Sequence, residues 1–300
     1  MKTLFVILGP TGIGKTELSI QVAEHLGVPI INADSRQIFS EIPIGTAAPT
    51  AEQQAKVKHF FVGTHHIEDY YSASMFEEDV MKLLSNLFSK SDAALMSGGS
   101  MMYIDAVCNG IDDIPTIDAA TRKMMKLRLE AEGLPALLEE LKTLDYEHWK
   151  IVDHNNPRRV VHALEICKMT GKTYTSFRQN TIKQRPFSIV KIGLTLDRAI
   201  LYGRINTRVV KMIDTGLVEE ARSVYAKREL NALNTVGYKE LFEHFDGLTT
   251  IDEAVFKIQS NTRRYCRKQQ TWFKRDPNIR WFSPDNIKEI IKYVDCCLKD

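Results

Sequence analysis

Residues 9–16 read GPTGIGKT, an order of residue types suited to gripping a chain of phosphates. The octapeptide fits G-x-x-x-x-G-K-[ST], with Gly9, Pro10, Thr11, Gly12, Ile13, Gly14, Lys15 and Thr16 as the predicted diphosphate- or nucleotide-binding set. Backbone N–H groups of Thr11–Thr16 are expected to cradle phosphate oxygens, helped by the positive end of a helix dipole. Lys15 adds a point charge, and the Thr16 hydroxyl is the expected ligand to Mg²⁺. Eighteen residues past Thr16 comes DSRQ, Asp34 to Gln37. A carboxylate there can take a proton from a nucleophile aimed at a bound phosphate ester, so Asp34 is the candidate catalytic base. A helix N-cap or a remote magnesium acid are the alternatives for the same residue.

The elements that must position these groups are legible around them. Leu4–Leu8 (LFVIL) reads as a buried parallel strand running directly into the loop, and Glu17–Leu26 as a helix stopped by Gly27. Val28–Ala33 is a second strand that delivers Asp34 to its carboxyl end, where ligands of open α/β sheets bind. Phe60–Val62 or His66–Ile67 belongs to a third strand. Phe76–Phe88 is an amphipathic helix, and Ala93–Met96 a core strand entering Ser97-Gly98-Gly99-Ser100. The alternation predicts a P-loop α/β core built on a parallel sheet. Residues 118–180 are helical in pattern without a strand. Residues 112–147 hold nine acidic against five basic side chains, and residues 154–191 hold eight basic against the single Glu165. That stretch is an all-helical insertion domain, placed at 116–186, with 1–115 and 187–300 forming the core. Phe187–Leu196 resumes the sheet, and Ile279–Phe282 supplies a last strand.

Composition excludes some classes. Hydrophobic content of 44%, charged content of 26% and a formal net charge of +2 belong to an ordinary globular protein. Five cysteines with no C-x-x-C spacing argue against a zinc module and a disulfide framework, and for a reducing, cytoplasmic setting. The apolar run at the N-terminus is five residues long, so no membrane span is expected there. His65 and His66 face opposite ways if extended, which argues against a metal site with Glu68 and Asp69. Charge distribution says more than net charge. Residues 255–275 carry seven basic side chains and no acidic one. At helical spacing Ile258, Tyr265, Trp272 and Phe273 form its buried stripe, while Arg264, Arg267, Lys268 and Arg275 cluster on a face suited to RNA phosphates.

The phosphate grip alone leaves three readings open: a small-molecule kinase, an ATPase machine, or an RNA-binding protein with a structural nucleotide site. The strand AALM ends without a carboxylate, which lowers the ATPase reading. The ordered set GPTGIGKT, DSRQIF, IGTAAPT, GGSMMY, an arginine near position 122, NNPRRVVHALE, DTGLVEEA, TVGYKE and TRRYCRKQQTWFKR resembles tRNA dimethylallyltransferases from about residue 4 to about residue 282. The resemblance implies transfer of a dimethylallyl group from dimethylallyl diphosphate to N6 of the adenosine 3′ of the anticodon, with Mg²⁺ required. It implies catalytic roles for Asp34, Lys15, Thr16 and Arg122. It implies tRNA contact by Asp34, Ser35, Arg36, Gln37, Ser100, Arg122, Arg158, Arg159, Val160, Val161, His162, Arg264, Arg267 and Lys268. Ser35 and Gln37 are expected at the purine edge, and the target base must leave the anticodon-loop stack. Ser100 stands where the family usually has threonine, Met101-Met102 replace its common Gly-Leu, and His162 replaces a second arginine. The expected partners are the tRNA anticodon stem-loop and dimethylallyl diphosphate, acted on by a monomer.

Overall fold

The computed structural model describes residues 1–179 and 182–299; residues 180, 181 and 300, which fall within the expected helical region and core, lie outside the described residues. The chain forms two compact units, Met1–Asn109 with Gln184–Asp300, and Gly110–Lys183. In the first unit, in chain order, stand β1 (Thr3–Leu8), α1 (Lys15–Leu26), β2 (Ile30–Ala33), α2 (Ala51–Lys56), β3 (His59–Phe60), α3 (Ala73–Leu87), β4 (Ala93–Gly98) and α4 (Met101–Asn109). The second unit holds α5 (Ala119–Leu144), α6 (Tyr146–Ile151), α7 (Pro157–Thr170) and α8 (Tyr174–Phe177). The first unit then resumes with β5 (Ser188–Leu194), α9 (Arg198–Asp214), α10 (Leu217–Val224), α11 (Tyr238–Phe245), α12 (Ile251–Phe273), β6 (Ile279–Phe282) and α13 (Ile287–Lys299).

The six strands make one all-parallel sheet in the order β3-β2-β4-β1-β5-β6. Every residue of β1 is buried, because helices cover both of its faces. Each buried Leu, Val or Ile there contributes about 1.5–3 kcal/mol. β4 returns beside β1 after β2 and β3, so the crevice outside the carboxyl ends of β1, β2 and β4 is the topological switch of the sheet.

Local chemistry explains where element bounds depart from the sequence pattern. β2 starts at Ile30 rather than Val28, because Gly27 turns left-handed (φ 65°) and the Val28 N–H still donates to Ala23 O of the preceding helix. α3 starts earlier than expected because Ser72 accepts the Met75 N–H as its cap. The third strand is cut to His59–Phe60 by a left-handed Phe61 (φ 63°), and His65 makes only an isolated bridge to Phe39. In the second unit, Gly133 (φ 78°) followed by Pro135 breaks α5 into two helical pieces. These pack with α7 around Met125, Leu137, Leu141, Val160 and Leu164.

Candidate active site

The phosphate loop leaves β1 at Leu8 and enters α1 at Lys15. Gly12 (φ 81°) and Gly14 (φ 101°) take backbone conformations that side chains disfavour. A Cβ on Gly12 would also lie 2.8 Å from Ile205 on α9, so the turn and its close packing both call for glycine. Lys15 is half-buried, and its ammonium donates to Gly9 O (3.0 Å) and Pro10 O (2.9 Å). Burial lowers its pKa to about 8; the negative charge of Asp34 works against that shift, and the Arg208 guanidinium adds to it.

Arg208, on α9, is the second cation of the cleft, half-buried like Lys15, and nothing in the sequence pattern marked it beyond its place on a helix. Its Nη2 donates to Thr11 Oγ1 (2.6 Å), its Nε has no hydrogen-bond partner among the described residues, and burial holds its pKa below the ordinary value. Two half-buried cations side by side, one with a buried donor left without a partner, are costly in an isolated fold. A polyanion resolves both costs.

The loop amides are not all available to it. Thr11 N–H donates to Gln269 Oε1 (2.8 Å), and Ile13 N–H points to Pro10 O (3.4 Å). Ile13 is fully buried in the core, and Gly9 and Pro10 are buried with their carbonyls bound to Lys15. The expected cradle of Thr11–Thr16 therefore narrows to the amides of Gly12, Gly14, Lys15 and Thr16, whose residues line the cleft. Gly9, Pro10 and Ile13 shape the loop and do not line that cleft.

Asp34 follows β2 directly. Its Oδ1 accepts the N–H groups of Arg36 (2.9 Å) and Gln37 (3.4 Å), a turn-forming arrangement that fixes the carboxyl and leaves Oδ2 for other work. Ser35 is tied to Ser100: Ser35 N–H donates to Ser100 Oγ (2.8 Å), and the two hydroxyls lie 3.1 Å apart. Gln37 lines the same cleft, and its amide nitrogen is already engaged, donating to Thr46 O (3.0 Å) and Ala47 O (2.9 Å). It holds the loop at 43–49 instead of offering that group to a base. The same loop is gripped from behind by Glu220, which accepts from Ile44 N (2.8 Å), Gly45 N (2.8 Å) and Tyr238 OH (2.5 Å).

Two cavities open on this crevice. One, of about 830 Å³, is lined by the phosphate loop, Lys15, Thr16, the loop at 43–49 and Met212. The other, of about 550 Å³, carries Arg36, Lys239, Arg264 and Lys268 together with Ser35 and Ser100. Thr11, Asp34, Thr46, Arg208 and Tyr265 line both, so the carboxylate and the guanidinium stand where the cavities meet.

The α12 helix supplies much of the second wall. Its buried stripe is Ala254, Ile258, Thr262, Cys266, Gln269 and Phe273. Tyr265, expected in that stripe, has 37% of its surface exposed and lines both cavities, because 262, 266 and 269 keep better phase with the buried face. Burial of its hydroxyl end keeps its pKa well above the usual phenol range. Trp272 is only partly buried, with Nε1 donating to Asp105 Oδ2 (2.7 Å). Arg264 and Lys268 line the second cavity, while Arg267 is exposed outside it. Arg275 lies past the helix end, over the Trp272 ring.

The remaining expected tRNA contacts lie in the second unit. Arg122 is exposed in the first turn of α5. Arg158 and Arg159 are exposed in the first turn of α7, which Asn156 caps. Val160 is fully buried and Val161 packs on the same cluster, because helical phase turns them into the unit's own core, so Val160 cannot touch RNA without unfolding that core. His162 lies against the Tyr174 ring and 3.7 Å from Glu165 Oε2.

For a magnesium ion, Thr16 is among the hydroxyl side chains that line the phosphate cleft, and it stands next to Lys15 at the start of α1. Among the described residues no group of three His, Cys, Asp or Glu side chains is arranged to hold a metal. That donor set fits a cation that keeps several waters and takes the rest of its oxygens from a bound phosphate. No described helix is long and apolar enough to cross a membrane.

A phosphate-loop sheet, two half-buried cations at its mouth and a fixed carboxylate where two cavities join define a P-loop group-transfer enzyme. Residues 37–276 match the model of the IPP transferase family. Over 298 residues, 99% of each chain, the protein is 59% identical to tRNA dimethylallyltransferase 1 of Bacteroides fragilis. The full-length tRNA isopentenylpyrophosphate transferase of Bacillus halodurans superposes with a TM-score of 0.73 at 31% identity, covering 100% of this chain and 97% of that one. A eukaryotic dimethylallyltransferase acting on tRNA shares the fold at a TM-score of 0.78 and 22% identity, covering 96% of this chain and 75% of that one. The chain belongs to the IPP transferase family.

Proposed function

We propose that this enzyme transfers a dimethylallyl group from dimethylallyl diphosphate to the exocyclic N6 amine of the adenosine next to the anticodon in tRNA. The observation that carries the reading is the meeting of two cavities at Asp34, Arg208 and Tyr265. The cavity with the phosphate loop takes the donor, its diphosphate against Lys15, Arg208 and the amides of Gly12, Gly14, Lys15 and Thr16. The apolar tail then lies toward Pro43, Ile44, Ala47 and Met212, which line the same cavity. The cavity rimmed by Arg36, Lys239, Arg264 and Lys268 takes the acceptor, an adenine swung out of the anticodon loop. Exposed Arg122, Arg158 and Arg159 of the helical unit add phosphate contacts.

In the transfer, the N6–carbon bond forms as the carbon–oxygen bond to diphosphate breaks, and the bonding electrons leave with diphosphate. Lys15 and Arg208 stabilise the charge that grows on the leaving group. An adenine amine is weakly nucleophilic because its lone pair is delocalised into the ring, so its proton must be taken during attack. Asp34 Oδ2 takes it, while Oδ1 stays fixed by the Arg36 and Gln37 amides. Magnesium held by the Thr16 hydroxyl and the diphosphate oxygens would neutralise further charge on the leaving group. Five free cysteines suit a reducing cytosol.

The test is incubation with dimethylallyl diphosphate labelled in the prenyl group, Mg²⁺ and unmodified tRNA, followed by nucleoside analysis. Label on N6 of the adenosine 3′ of the anticodon is expected. Label absent from RNA, with ATP consumed in the presence of a small hydroxyl acceptor, refutes the reading in favour of a kinase.

A further inference from the structure

Position 269 lies in the buried stripe of α12, between Cys266 and Phe273, and only 2% of Gln269 is exposed. A side-chain amide in such a place costs a few kcal/mol unless both of its ends are paired. Both are paired, and neither partner is on α12 or near it in sequence. Oε1 accepts the Thr11 N–H (2.8 Å), and Nε2 donates to Gly99 O (2.8 Å). Only this orientation of the amide satisfies a donor on one side and an acceptor on the other. We propose that Gln269 is a positioning residue for the transfer reaction, holding the phosphate loop and the loop after β4 at one separation through a single amide. The inference rests on the transfer reading above.

Each end of the amide leads to a reacting group. Thr11 lines both cavities, and its hydroxyl accepts from Arg208, so Gln269 fixes one end of the residue that Arg208 holds by the other. Gly99 precedes Ser100, whose Oγ receives the Ser35 N–H beside Asp34. One side chain thus links the leaving-group end of the crevice to the carboxylate end. Gly99 is required for the approach, since a Cβ there would lie 2.6 Å from Gln269 Nε2. Tyr265, one helical turn earlier on α12, lines both cavities, so the same helix also sets the seam between them. Reacting atoms must meet within a few tenths of an ångström, and a misplacement of about 1 Å costs on the order of a hundredfold in rate.

The test pairs Gln269→Leu, similar in volume and suited to a helix, with Gln269→Glu. Rates are measured with dimethylallyl diphosphate and an anticodon stem-loop, alongside melting temperature and calorimetric binding of inorganic diphosphate. For Gln269→Leu, kcat falls by about 30- to 100-fold, while both KM values and the diphosphate affinity stay within about threefold. For Gln269→Glu, an ionised carboxylate still accepts from Thr11 but repels Gly99 O, whereas the protonated acid can serve both. Its kcat relative to wild type therefore recovers as pH falls. Wild-type kcat in Gln269→Leu, or a loss confined to donor KM, overturns the proposal. If Gln269→Leu does not fold, a Gln269→Glu rate profile parallel to wild type across pH overturns it. Wild-type protein that binds diphosphate but places no label in RNA refutes the transfer reading instead, without involving Gln269.

Discussion

Replacing Arg208 with methionine should weaken diphosphate binding and leave the free protein at least as stable. Methionine keeps an unbranched stem of similar reach and removes the charge. The guanidinium has one protein bond, to Thr11 Oγ1, an orphaned Nε, and no carboxylate in a salt bridge with it among the described residues. Removing it gives up about 1.5–3 kcal/mol of charge-assisted hydrogen bonding and relieves a desolvation penalty of comparable or larger size. A hydrogen bond to a charged group contributes about 1.5–3 kcal/mol, so diphosphate affinity should drop by roughly 10- to 150-fold. At a diphosphate concentration of about 100 times the wild-type Kd, ligand stabilises the wild type by about 2.7 kcal/mol. With affinity reduced about 50-fold, the same concentration stabilises the variant by about 0.6 kcal/mol, so the ligand-induced rise in Tm shrinks to roughly a quarter. Calorimetric titration and paired thermal melts with and without diphosphate measure both quantities. A variant that melts several degrees lower without ligand, or keeps the full ligand-induced rise, would show that the charge serves the fold and not the anion.

Three further outcomes follow from the same geometry. Asp34→Asn preserves an oxygen for the Arg36 and Gln37 amides but cannot take a proton; kcat should fall by about 10²–10⁴-fold with donor and RNA affinities nearly unchanged, and near-normal turnover removes Asp34 from the base role. Lys15, with burial holding its pKa at about 8, is charged below that pH and neutral above it, so donor affinity should be full below pH 8 and decline by at most tenfold per unit above it; a flat profile from pH 7 to 10 contradicts this, as would loss on the acid side. Arg267→Ala should weaken tRNA binding and reduce the slope of log affinity against log salt by about 0.7–0.9, and an unchanged slope means this exposed arginine does not reach an RNA phosphate.

Much of the site was written in local pattern. The phosphate loop, its strand and its helix occupy consecutive residues, so their chemistry depends on backbone geometry that glycine placement already dictates. Asp34 was legible for the same reason, as the residue that ends a strand beside that loop. Strand bounds were less so. Left-handed Gly27 and Phe61 each moved an end that apolar runs alone set differently, because hydrogen bonding at a helix exit or a kink overrides side-chain propensity.

What the sequence determined by itself was the phosphate-loop pattern and the carboxylate that follows the next strand, because each is read from a run of consecutive residues. What only the tertiary structure decided was which side chains from distant segments complete that meeting. Arg208 on α9 and Gln269 on α12 carry no motif, yet both bond to Thr11, 197 and 258 residues away. Val160 and Tyr265 exchanged places with expectation for the same cause. A helix presents several possible faces, and which of them is buried depends on what packs against it.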